Sequence, residues 1–187
     1  RWRIMSGKKE NDPEKIRRRW VIFITIFAFF LSVFMSTFSD LLLKKANTAV
    51  AFVILIAIIL IGIVFDIIGV AVTVTDEKPF HSMAASKVKG AKSSLMLIRN
   101  ASRVSNVCND VIGDICGIIS GSSAAFIVSQ VEFPPGSLVD ITVFSVVLSG
   151  IVASLTIGGK AFGKEIAINN SKEIVIMMGK ILSVFKK

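Results

Sequence analysis

Between Ala49 and Ile63 the chain reads AVAFVILIAIILIGI, a stretch without one polar side chain. Such a run follows neither the 3.6-residue period of a surface helix nor the alternation of a half-buried strand, so it has no face to offer water. Widened to Thr48–Thr75, it exceeds the roughly 20 residues that carry a helix across about 30 Å of hydrocarbon. Asp66 is the only ionisable side chain in that interval. The stretch predicts a spanning helix, and the rest of the chain repeats the theme, with 53% of its 187 residues hydrophobic and gathered in runs.

Three further runs qualify. Trp20–Phe38, WVIFITIFAFFLSVFMSTF, follows basic residues, as a signal peptide would. Its length, and the Ser39, Asp40, Lys44 and Lys45 that follow in place of a small-x-small cleavage site, favour a retained helix. Val104–Val131 is interrupted by Asn106, Asn109, Asp110, Asp114, Ser120, Ser122 and Ser123. A span tolerates such polarity when it turns toward a bundle or an aqueous cavity. Leu138–Ile157 follows through EFPPGS, where Pro134 and Pro135 end a helical pattern and Gly136 permits a tight return.

The net charge of +9, from 22 Lys plus Arg against 13 Asp plus Glu, is placed rather than spread. Residues 1–19 carry eight basic side chains, the 76–103 connection six and the 158–187 tail six, while the other two connections carry Lys44 and Lys45 and none. With four crossings, the positive-inside rule puts all three basic stretches, and both termini, on the cytoplasmic side of a cell membrane. Anionic lipid headgroups are the partner this charge implies. Nucleic acid is not: Tyr is absent, most Phe lies within the apolar runs, and no surface interleaves aromatic with basic residues. Two segments are amphipathic, Pro79 to about Arg99 and Lys172–Lys187, and read as helices at the inner interface. The second also suits the start of a further soluble domain.

Catalytic chemistry finds little footing. There is no Ser–His–Asp set, no HExxH and no nucleophile with an evident base, so the chain is not expected to be an enzyme. His81 stands alone, and Cys108 and Cys116, about 12 Å apart along a helix, are too distant for a disulfide. GGKAFGKEIA at 158–167 lacks the spacing of a phosphate loop, and its glycines are expected to break the helix near the membrane face.

The third run carries the candidate site. Asn106, Asn109, Asp110, Gly113, Asp114 and Gly117 follow steps of three and four, which puts amide and carboxylate oxygens on one stripe with glycines that admit another backbone. Hard cations such as Mg²⁺ take such oxygens while keeping several waters. The same stripe also serves as helix-to-helix glue, and Asp66 has Lys160 or Lys164 as a partner in place of a metal. Both readings stand at this point.

Residues 48–187 resemble the transmembrane domain of the cyclin M/CorC-type magnesium and cobalt transporter family. FDIIGVAVTVT at 65–75 falls where the family has F-x-x-x-E-x-A-L-x-S, with Gly69 for the acid and Ala71 for the small residue. Ile112-Gly113-Asp114 falls where Ile-Gly-Asn is common, and Gly159–Lys164 where G-E-x-x-P-K occurs, with Lys160 for Glu and Gly163 for Pro. The resemblance implies an all-α membrane protein of four transmembrane helices: an added helix at 20–44 before a three-helix transporter-type domain at 48–187, with cytoplasmic interfacial helices. It implies a homodimer or membrane-protein complex and Mg²⁺ as the transported ion rather than a resident cofactor. Asp110 and Asp114 are then expected as metal ligands, with Asn106 and Asn109 orienting ion or water. The alternative is a non-transporting scaffold that keeps the architecture.

Overall fold

The computed structural model describes residues 13–43, 46–131 and 141–185. In chain order these form α1 (Pro13–Leu43), α2 (Thr48–Val74), α3 (Lys78–Ala85), α4 (Ala91–Arg99), α5 (Ala101–Ser105), a π-helical segment (Asn106–Ile112), α6 (Gly113–Ser129), α7 (Ile141–Asn169) and α8 (Ser171–Phe185), with no strand among the described residues. Four helices are long and apolar enough to cross a membrane: α1, α2, the continuous helix of α5, the π segment and α6, and α7. Each expected span is present, and most are longer than the apolar run that announced them. The EFPPGS turn, residues 1–12, Lys44, Lys45, Lys186 and Lys187 lie outside the described residues.

α2 is the hub. Asn47 caps it, its side-chain oxygen accepting from the Val50 N–H at 2.9 Å, which satisfies one of the otherwise unpaired first-turn donors. One stripe of α2 is buried, Ala51, Leu55, Ile59, Gly62, Asp66 and Gly69, at steps of three and four. That stripe meets the third span and α7; the opposite face leaves Val53, Ile56, Leu60 and Val64 exposed. Large apolar side chains outside the bundle are what lipid requires and water penalises.

Helix directions follow from the contacts. Leu43 at the end of α1 packs with Ala51, Ala124, Ile127 and Leu148, so the end of α1, the start of α2, the end of α6 and the first part of α7 share one end of the bundle. At the other end Arg103 lies over the Trp20 ring, 4.9 Å from its centroid. Arg18 and Arg19 of α1 and the basic residues of 76–103 and of α8 therefore gather at a single end, which water-exposed cationic side chains require of a bundle whose middle is apolar.

Two expectations need correction. The glycines at 158–163 do not break a helix: α7 runs through them to Asn169. Gly159 and Gly163 serve close packing instead, for a Cβ on Gly159 would strike the Ile63 side chain and one on Gly163 would lie 2.8 Å from Ile67 Cγ1. Small residues that let helix backbones approach are a favoured device in membranes. The 79–99 segment, expected as one helix, is two, parted by Lys87 at φ 57° and Gly90 at φ 89°. The break lets α4 fold onto α8, where the Ser94 hydroxyl donates to the Val175 carbonyl at 3.0 Å. Phe80, Val175 and Ala167 then close a second core against Ala71 and Val72 of α2. The amphipathic segments thus spend much of their apolar surface on one another and on the basic end of α2.

Candidate functional site

The third span departs from regular helix where its polar residues begin. Over Asn106–Ile112 the turns widen to the π form, with Gly113 N–H bonded back to the Cys108 carbonyl. Such insertions rotate the residues around them and recur at functional sites. Here the rotation divides the stripe that sequence spacing placed on one side. Asn106, Asp110 and Asp114 turn toward α1, whereas Asn109 turns toward α2.

Toward α1, the three side chains open into a groove of about 400 Å³ whose far wall is Thr25, Ala28 and Ser32. Asp114 stands 13 residues past Ala101 and 15 before Ser129, near the middle of the span. The groove floor is apolar: Val111, Ile115 and Ile119 pack against Ile24, Ala28 and Leu31 and hold α1 in place. Thr25 and Ser32 were not singled out from sequence. Their spacing of seven puts them on one face of a helix, a signal available within a run otherwise rich in Phe.

Toward α2, Asn109 donates from Nδ2 to Ser105 Oγ at 3.3 Å, while its Oδ1 is enclosed and has no hydrogen-bond partner. It packs directly on Gly69, where any Cβ would collide with the amide. One turn along the same α2 face, Asp66 is 5% exposed, and its Oδ2 likewise has no partner. Neither Lys160 nor Lys164 pairs with it: among the described residues, both ion pairs involve Glu77. Lys160 instead reaches the third span, its Nζ 3.4 Å from the Cβ position of Gly113. Both cysteines are free, as their separation implied.

Among the described residues no three His, Cys, Asp or Glu side chains gather as a metal-ligand group. The α1-side groove therefore offers two carboxylates, an amide and two hydroxyl-bearing residues to a cation that retains part of its water. Comparison of the chain with protein-family models, with curated proteins and with solved structures finds no match.

Proposed function

We propose that this chain is a divalent-cation transport domain, handling Mg²⁺ through the groove between α1 and the third span, or a divergent relative of such transporters. The observation that carries the reading is the position of Asp110 and Asp114. Two exposed carboxylates at the middle of a spanning helix are intolerable against hydrocarbon, and their groove holds polar side chains from both walls. Mg²⁺ suits it because that ion binds through one or two carboxylates and keeps much of its hydration shell. Asp110 and Asp114 act as oxygen ligands, and Asn106, Thr25 and Ser32 orient ligated water. Asn109, facing α2, acts on the position of the π segment.

In this reading the basic end of the bundle lies at the cytoplasmic face of a cell membrane, with α3, α4 and α8 at the interface among anionic headgroups. A homodimer fits the exposed glycines of α6: Gly117 and Gly121, four apart, meet nothing within 4 Å. The resemblance to the cyclin M/CorC-type family points the same way in order and topology. Lys160 of α7 favours the second reading, a non-transporting subunit, since an ammonium set against the third span repels a dication.

The test is Mg²⁺ flux into vesicles reconstituted with the full chain. Asp114→Ala is expected to abolish flux while the assembly state seen in mild detergent stays unchanged. Equal flux from wild type and variant removes the groove from the transport path. A stable complex with an unrelated membrane protein, inactive in the same vesicles, establishes the subunit reading.

A further inference from the structure

Two side chains of opposite charge lie inside the bundle, and among the described residues neither has a partner. Asp66 is 5% exposed, with Oδ2 enclosed and unbonded. Lys160, half-buried on α7, forms no ion pair among the described residues. The packing puts them at one level. Gly62 of α2 faces Cys116, whose Cβ lies 3.1 Å from its Cβ position, and Gly69 faces Asn109, so Asp66, between them on the same buried stripe, stands at the level of the Ile112–Gly113 turn. At Gly113 the first foreign atom is Lys160 Nζ, at 3.4 Å. α7 delivers the lysine there because Gly159 and Gly163 seat on Ile63 and Ile67, which lie three residues before and one residue after Asp66.

A buried carboxylate without a cation and an ammonium without an anion are each expensive in a membrane interior, and each relieves the other. Asn109 Oδ1 supplies a second enclosed acceptor with no donor, one turn away. An ammonium carries three donors, enough for the carboxylate, the amide and one more oxygen. The four-carbon stem of lysine lets the head cover a few ångströms by rotation alone.

We propose that Lys160 is the tethered cation of an internal site formed by Asp66 and Asn109, occupying from within the chain the place an inorganic cation would take. Carboxylate and ammonium sum to zero, so a dication arriving there would meet no net attraction and would have to displace the ammonium. The α2 side of the third span is thereby closed to Mg²⁺, and only the α1 side remains for a mobile ion. This inference rests on residues outside the groove and stands whether or not the groove transports.

The experiment is thermal unfolding of the full chain in lipid nanodiscs, in buffer free of divalent ions and then titrated with MgCl₂ or NaCl. Lys160→Met leaves Asp66 uncompensated. Its apparent Tm is expected to fall by on the order of 10 °C, and added Mg²⁺ or Na⁺ is expected to restore part of the loss, because the emptied place now takes an inorganic ion. Asp66→Asn alone is expected to lose stability without recovery by salt. The double variant Asp66→Asn/Lys160→Met is expected to be more stable than either single variant and indifferent to both salts. A silent Asp66→Asn overturns the proposal, for it means the carboxyl is neutral in the wild type. A double variant no better than the worse single one also overturns it. So does wild type stabilised by Mg²⁺ through Asp66, which assigns the place to a metal ion. Because the readout is stability, its failure is distinct from loss of flux through Asp110 and Asp114.

Discussion

At Gly90 the backbone takes φ 89°, and an added Cβ would fall 2.6 Å from the backbone nitrogen of Lys180. Both conditions reserve the position for glycine: L side chains are strained at that φ, and the atom in the way is main chain that cannot rotate aside. Across the crossing Gly179 shares only the second condition: a Cβ there would press on Gly90 O and the Ser94 backbone nitrogen and hydroxyl. Gly90→Ala is expected to destabilise the α4–α8 contact by about 1–3 kcal/mol. Hydrogen exchange should show it as faster exchange in α4 and α8 with α2 unaffected; uniform exchange across the chain would contradict a local role. Sequence reading passed over Gly90 because an isolated glycine is tolerated inside a helical pattern, and the apolar spacing of Phe80, Met83, Leu95 and Ile98 continues across it. What decides the conformation there is a neighbour about ninety positions away, which periodicity does not encode.

Between elements, Glu77 ties the start of α3 to the end of α4. Its Oε1 accepts from Arg99 Nε at 2.6 Å and lies 3.0 Å from His81 Nε2. The Arg99 hydrogen bond is the main cause that holds the Glu77 carboxyl below its ordinary value of 4.5, with the charges of Arg99 and His81 adding to it. A carboxyl lowered in the folded state contributes its link above the ordinary value and loses it as pH falls through the lowered one. Protection of the 76–99 backbone from exchange is therefore expected to hold above about pH 4.5 and to decline below it, whereas Glu77→Gln should show the weaker protection at every pH. Identical profiles for the two proteins would show that the link has no part in ordering this segment. At this scale the four spans were legible, because apolarity gathered in runs survives any detail of packing. The π segment was not, since one residue's shift in helix register has no compositional mark. The 158–163 glycines misled for a related reason: the same residue breaks a helix in water and tightens a crossing in lipid, and only Ile63 and Ile67 opposite them show which applies.

In the whole molecule, charge and apolarity are sorted along one axis. Arg18 and Arg19 of α1 and the basic residues of α3, α4 and α8 stand at one end, the carboxylates of the candidate groove near mid-height, and bare apolar faces surround both. Asp110 and Asp114 were legible as candidates because a carboxylate within a span needs a reason to be there, and both line the groove. Thr25 and Ser32 were not, because a helix read as an addition to the domain gives no cause to expect it to wall the site. Asn109 was placed with the wrong neighbours by regular helical spacing, which the π segment annuls. The central claim, four crossings with every basic stretch on one side, can be measured by impermeant thiol labelling of sealed vesicles. Single cysteines are introduced at Ser86, Asn170, Asn47 or Gln130 in a Cys108→Ala/Cys116→Ala background. Ser86→Cys and Asn170→Cys are expected to react from one side and Asn47→Cys and Gln130→Cys from the other; reaction of the first two from opposite sides, or of all four from the same side, contradicts it.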